Sequence, residues 1–242
     1  MKRRNQLGAW TEVALTGLMQ EASAIADPGE RIAFLSGHLL GTKYEESTLS
    51  LPGDPDEAFV INLAGVDCLT FIEYVEAMRR SASFAQFRDK LRIVRYRGES
   101  ISFRDRNHFF TDWKAFNADH VVDVTAYLGA EKTKDVSKRL NEKEDGTALL
   151  PGVPCRLREV TYVQAIHVSQ RVRRNLKTGD YTGIYSMKDG LDVSHTGIVI
   201  KEGGSVLLRH ASSLKKNRKV VDEDLQEYLR AKPGIIVLRP RE

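Results

Sequence analysis

Cysteine is scarce in this 242-residue chain: only Cys68 and Cys155 occur, too few for a disulfide framework, and no Cys-x-x-Cys or His-Glu-x-x-His spacing is present. Four of the six histidines, His38, His108, His120 and His167, are scattered singly, so neither a metal nor any other cofactor is expected. No apolar run is long enough to span a membrane. Basic residues outnumber acidic ones only slightly, 37 to 33, for a net charge of +4. The clusters Arg171-Val172-Arg173-Arg174 and Lys215-Lys216-Asn217-Arg218 lack the interleaved aromatics that nucleic-acid binding favours, and read as solvated charge. Nucleic acid and membrane are therefore not expected partners. Internal repeats and low-complexity tracts are also missing.

What remains is a chain that is 41% hydrophobic, enough to bury one sizeable core, read as a single domain over 1–242 with a helical N-terminal extension over about 8–40. Residues 8–26 make an amphipathic helix with Trp10, Val13, Leu18 and Ile25 on its apolar side. Met1-Lys2-Arg3-Arg4 thus starts like a leader without the apolar continuation of one. Asp27 caps a second helix, with Pro28 in its first turn and Glu30 as the capping-box acid, running to about His38. A loop is read over 44–56, helices around 84–91 and 107–117, strands over 93–97 and 120–127, and a charged surface segment over 131–147. Strands over 179–185, 194–201, 205–210 and 234–238 follow. Helices first and an antiparallel sheet late predict an α+β fold.

Two segments carry chemistry. In the first, Cys68 opens a helix whose apolar positions Phe71, Ile72, Val75 and Met78 recur at helical spacing, with Asp67 suited to cap it. A thiol there feels the positive end of the helix dipole and ionises more easily. Alone, such a cysteine more often fills space than reacts. The second segment alters that balance: Ser194 to Ile200 and Ser205 to His210 flank Lys201-Glu202-Gly203-Gly204 and read as a hairpin. Its register places His195 opposite His210 or two residues from it, on one face, with Gly197 leaving room beside His195. A thiol on a helix, a base on a strand and a polar residue on the next strand to orient that base form a nucleophile constellation.

These residues give the chain a resemblance to papain-like cysteine peptidases of the NlpC type, through Asp67-Cys68, His195-Thr196-Gly197-Ile198 and His210. More narrowly it resembles the N-acetylmuramoyl-L-alanine amidase-like family, through Gly41 to Tyr44, Asn62 to Glu73, Arg106 to Trp113 and Leu208 to Ser212. Leu69-Thr70 departs from the small residue and glycine of many wider relatives. The resemblance implies an α+β papain-like fold in which N-terminal helices, one headed by the catalytic cysteine, pack on an antiparallel sheet carrying the histidines. It further implies Cys68 as nucleophile, His195 as base, His210 as its orienter, and Tyr44 as an oxyanion donor beside the Cys68 N–H. Arg106, Asn107, His108, Asp112 and Trp113 become candidate groove contacts, since Trp stacks on sugars and Arg clamps carboxylates. The implied partner is peptidoglycan or its muropeptide fragments, cut at the N-acetylmuramoyl-L-alanine amide, and the implied setting is the cell envelope. The alternatives are an endopeptidase cutting D-glutamate–diaminopimelate or L-alanine–D-glutamate bonds, an acyltransferase, and a non-catalytic cell-wall binding module.

Overall fold

The computed structural model describes residues 5–46, 48–49 and 57–242. Helices α1 (Glu12–Ser23), α2 (Pro28–Gly37), α3 (Cys68–Arg79) and α4 (Phe84–Arg95) come first, and the short strands β1 (Lys43–Tyr44) and β2 (Gly65–Val66) pair in parallel just ahead of α3. Then follow α5 (Phe110–Phe116), β3 (Val121–Asp123), α6 (Thr125–Gly129), β4 (Thr133–Leu140), β5 (Arg156–Gln164) and α7 (Gln170–Asn175). The chain closes with β6 (Tyr181–Tyr185), β7 (Val193–Glu202), β8 (Ser205–Ala211), β9 (Val220–Asp224), α8 (Leu225–Leu229) and β10 (Gly234–Pro240). The large sheet is antiparallel, in the order β4-β5-β10-β6-β7-β8-β9 with β3 added on β10. This is an α+β architecture.

The sheet separates two apolar layers. One holds α1 to α4, whose Leu15, Met19, Ile32, Leu35, Phe71, Val75 and Phe87 pack with Tyr181, Ile198 and Ile236. The other holds Leu128, Val172, Leu225 and Leu229 of α6, α7 and α8 against Ile184, Val199, Leu208 and Ile235. Helices α1 and α2 are therefore built into the core rather than appended to it. The buried stripe of α1 is Leu15, Leu18, Met19 and Ala22, while Val13, placed on that side by the sequence, is 83% exposed. Asp27 caps α2 as expected, its carboxylate accepting the Glu30 N–H at 2.9 Å.

Several sequence expectations are corrected. Residues 93–97 are not a strand: Val94 and Arg95 extend the stripe of Phe87 and Leu91 and end α4. Of the expected strand over 120–127 only Val121–Asp123 is strand, as β3, and Thr125 begins α6. The charged segment over 131–147 contains β4, where Val136, Lys138 and Leu140 turn inward. Lys138 fits there because its ammonium donates to the carbonyls of Ser186, Lys188 and Leu191 at 2.6–2.9 Å. Strands β5 and β9 were not anticipated. The loop expected over 44–56 lies partly outside the described residues.

Helix α3 is enclosed on nearly every side, from Thr70 to Arg79. It carries two carboxylates into the core. Glu73 receives Arg95 Nε of α4 at 2.7 Å, and that guanidinium also donates to the Val60 carbonyl at 2.7 Å. Glu76 receives Arg79 Nε at 2.6 Å and the Tyr181 hydroxyl of β6 at 2.7 Å. Removing one partner of such a pair leaves a buried charge unmatched, at a cost of about 3–5 kcal/mol. Arg95→Met is accordingly expected to lose about that much stability in urea unfolding, and adding Glu73→Gln to recover a large part of it. A loss below about 1 kcal/mol for Arg95→Met would show that the pair does not anchor α3.

Candidate functional site

Cys68 is the first residue of α3. Asp67 is the N-cap, accepting the Leu69 and Thr70 N–H groups at 2.9 and 2.8 Å, and Thr70 Oγ1 accepts the Asp67 N–H at 3.0 Å to complete a capping box. The approach to the cap is also fixed. Asn62 Oδ1 accepts the N–H groups of Ala64 and Gly65, and the Asn62 N–H donates to the Tyr74 hydroxyl at 2.8 Å.

The N-terminus of α3 packs where β7 and β8 part. Their ladder runs from Glu202↔Ser205 to Ile198↔Arg209 and stops there, around a two-residue turn at Gly203 and Gly204, both with positive φ. Beyond Ile198 the Thr196 hydroxyl donates to the Cys68 carbonyl at 2.7 Å, and Thr196 also hydrogen-bonds the thiol. Its neighbour His195 is bonded to a different partner: Nε2 lies 2.7 Å from Nδ1 of His210. Gly197 makes this approach possible: a Cβ there would lie 3.0 Å from the His210 Cβ and 2.7 Å from Leu208 Cδ1.

Two residues missed in the sequence complete the arrangement. Glu223 of β9 faces His210 Nε2 at 2.8 Å and takes Lys216 Nζ at 3.3 Å on its other oxygen. Tyr228 of α8 lies against both imidazoles, its ring centre 6.1 Å from His195 and 5.0 Å from His210. The β8–β9 register, Leu208↔Glu223 and His210↔Val221, was the missing signal, because it depends on the path of the 212–219 turn. An ionised carboxylate only accepts, so His210 Nε2 carries a proton and Nδ1 accepts from His195 Nε2–H. The lone pair of His195 is thereby assigned to Nδ1.

The electrostatics differ from those expected of a bare helix terminus. Burial, then the charge of Asp67, pushes the Cys68 thiol up to about 11, outweighing the hydrogen bonds from Thr196. Burial, then His210 and Lys232, holds His195 down to about 3. The resting pair is a neutral thiol and a neutral imidazole. Burial alone would raise Glu223, but its hydrogen bond from His210 and the nearby Lys216 bring it below the usual carboxylate range. Two imidazole nitrogens on one zinc ion stand about 3.3 Å apart, so the His195–His210 contact leaves no space for an ion between them. Among the described residues no three His, Cys, Asp or Glu side chains are grouped as a metal cage, and no helix is long and apolar enough to cross a membrane.

Tyr44 of β1 is placed beside this site. It pairs with Val66, two residues before Cys68, and burial followed by the charge of Cys68 pushes its phenol up to about 12, so it remains an O–H donor. Arg218 lies over its ring, 5.0 Å from the centre. The other expected contacts are held elsewhere. Asn107 is fully buried, donating to the Val94 carbonyl; Asp112 is clamped by Arg97 at 2.7 Å and by Arg158; and Trp113 is fully buried between Phe110 and Tyr181. Arg106 is turned to Glu57 at 3.2 Å, and His108 bonds the Phe103 carbonyl at 2.6 Å. These five residues fasten α5 and its approach, leaving little surface for a ligand.

A raised thiol predicts that the iodoacetamide alkylation rate of Cys68 keeps climbing above pH 9, since the thiolate accumulates only as pH nears the raised value of about 11. Asp67→Asn retains an oxygen to cap the helix and removes the negative charge, so its alkylation curve is expected at lower pH with an unchanged unfolding midpoint. A wild-type rate already flat between pH 6 and pH 8 would instead reveal a thiolate–imidazolium pair.

No curated protein matches the chain. Among solved structures, a Legionella pneumophila protein superimposes with a TM-score of 0.78 over 96% of this chain and 94% of its own, at 21% identity, a likeness of fold. An N-acetylmuramoyl-L-alanine amidase from Bacteroides uniformis gives a TM-score of 0.73 at 28% identity, covering 89% of this chain and 99% of its own. A Bacteroides fragilis protein provisionally called a xylanase gives 0.66 at 28% identity, covering 84% and 98%. The family model described as AmiA-like, N-acetylmuramoyl-L-alanine amidase-like, matches residues 34–235, and the chain belongs to that family.

Proposed function

We propose that this protein is a cysteine-dependent peptidoglycan amidase of papain-like, NlpC-type design, hydrolysing the bond between N-acetylmuramic acid and L-alanine. The observation that carries the reading is the hydrogen-bonded line His195–His210–Glu223, set beside a strand residue that is itself bonded to Cys68. His195 Nδ1 takes the thiol proton as the sulfur attacks the lactyl carbonyl, forming a C–S bond. The C–N bond then breaks, the proton passes to the departing L-alanine nitrogen, and the sugar remains as a thioester. Water, deprotonated by the same imidazole, adds to the thioester and releases the lactyl carboxylate and the thiol.

The developing oxyanion needs donors. Asp67 occupies the Leu69 and Thr70 N–H groups, which leaves the Cys68 N–H at the head of α3 as the backbone donor beside the sulfur. Tyr44 supplies a second donor. The structural likeness to a protein called a xylanase does not favour glycoside cleavage here. That chemistry requires two free carboxyl groups, whereas Asp67 is held by the helix cap and Glu223 by His210 and Lys216.

Mass spectrometry of defined disaccharide-tetrapeptides, after incubation with the protein and with its Cys68→Ala variant, tests the proposal. Free disaccharide with an intact tetrapeptide, missing with the variant, is the expected outcome. A disaccharide that keeps L-alanine or a dipeptide would make the enzyme an endopeptidase, and no product from the wild-type protein would leave a binding or transfer role.

Glu223 is a positioning residue in this scheme. In Glu223→Gln the amide can donate to His210 Nε2, which moves the His210 proton to Nδ1 and forces His195 into the tautomer that cannot accept from Cys68. The expected loss in kcat is about 10- to 1,000-fold with KM and unfolding midpoint little changed, and Glu223→Asp restores part of it. Unchanged kcat in Glu223→Gln would remove Glu223 from the mechanism.

A further inference from the structure

Beyond the Tyr228 ring lies a groove of about 560 Å³, walled by Gln164 at the end of β5, Ser169 and Arg173 at α7, Gln226 of α8, Arg230 and Lys232. It opens at the same end of the sheet as the candidate site. His195 pairs with Ile184, Ile184 with Ile235, and Ile235 with Val163, so the groove begins one position beyond the row that holds His195. Lys232 Nζ stands 5.2 Å from the centre of the Tyr228 ring, which also lies against His195 and His210.

The groove carries uncompensated positive charge. Arg230 is paired with Glu227, but among the described residues neither Arg173 nor Lys232 has a carboxylate partner. Arg173 bonds the neutral Gln226 oxygen, and its Nε is buried with no acceptor. A buried guanidinium N–H without an acceptor, next to a lysine bonded only to an aromatic face, is a setting for an incoming carboxylate. The sequence assigned the 171–174 cluster to solvated surface; Arg173 is half-buried there, with its Nε covered.

Resting on the amidase reading, we propose that this groove binds the leaving peptide through its carboxylates, with Arg173 and Lys232 as the specificity residues. The imidazole that protonates the leaving nitrogen faces the groove across Tyr228, which puts the groove on the leaving-group side. Extended peptide rises about 3.3 Å per residue, so the path across the Tyr228 ring takes about three residues. The carboxylates met there are those of the second and third residues, D-glutamate and the diamino acid of the stem. Lys232 also helps hold both imidazoles neutral. A change at that residue therefore acts on kcat as well as on binding, and only the comparison of acidic with amidated substrate isolates the groove.

The test compares a disaccharide-tripeptide bearing free carboxylates with its amidated counterpart, using wild-type protein, Arg173→Gln, Lys232→Gln and the double variant. For the acidic substrate the double variant is expected to raise KM about tenfold, Lys232→Arg to restore it, and wild type to show a similar penalty on the amidated substrate. The double variant should no longer distinguish the two substrates. Equal effects on both substrates, or no change in KM, would overturn the proposal. If wild type cleaves neither substrate, the amidase reading fails separately. Calorimetric titration of the Cys68→Ala protein with the free acidic tripeptide then decides the groove: heat lost on amidation and in the added double substitution supports it, and no heat to millimolar concentration rejects it.

Discussion

Glu73 and Glu76, carried into the core on one face of one helix, determine where everything else in the site stands. An unmatched buried carboxylate costs several kcal/mol, so α3 is stable only where Arg95 meets the first and Arg79 and Tyr181 meet the second. A one-residue slip would turn the helix by about 100°, taking Glu73 away from Arg95 and Glu76 away from the Tyr181 hydroxyl, while Arg79, on the same helix, would move with Glu76. The register of α3 is thus set one to two turns beyond Cys68, and the cysteine itself is left free of any anchoring duty. Because Glu76 bonds a hydroxyl from β6 while Glu73 bonds α4, the same two groups also fix the helix against both of its neighbours.

The sheet supplies the other half of the geometry by ending a ladder early. Past Ile198 the backbone of β7 no longer pairs with β8, and Thr196 bonds the Cys68 residue. One residue earlier, His195 reaches His210 and the Tyr228 ring. Two elements from opposite layers therefore meet at one fork. Gly197 is the position at which this is decided, since any Cβ there would press on His210 and Leu208.

Much of this was readable from residue spacing, and the unread parts share one cause. The helix start at Asp67-Cys68 and the hairpin around Gly203-Gly204 are local, fixed by a cap and by two glycines with positive φ, and both His195 and His210 followed from them. Glu223 and Tyr228 became neighbours of that pair only through the 212–219 turn and the fold of α8, which no periodicity encodes. Val94 and Arg95, expected as strand, complete the buried stripe of α4, where Arg95 meets Glu73. In the same way, polar residues with a sequence look of function, Asn107 and Asp112, are consumed by Val94, Arg97 and Arg158. Side-chain type alone does not tell a buried structural partner from an exposed ligand contact.

The helix terminus has a different use from the one its sequence suggested. A dipole that favours negative charge was expected to ionise the thiol, yet burial and the neighbouring Asp67 carboxylate outweigh it and keep the proton on sulfur. The field that fails to make a resting thiolate still acts on charge that appears later. In the proposed reaction that charge is the oxyanion, at the Cys68 N–H, and the matching positive charge arrives on His195 at the same moment. His210 then offers its lone pair to the imidazolium, and the Glu223 carboxylate stands one ring further on to favour it. A site that is neutral at rest and polarised only in the transition state gives its strongest interactions to the transition state alone, which is where they accelerate the reaction.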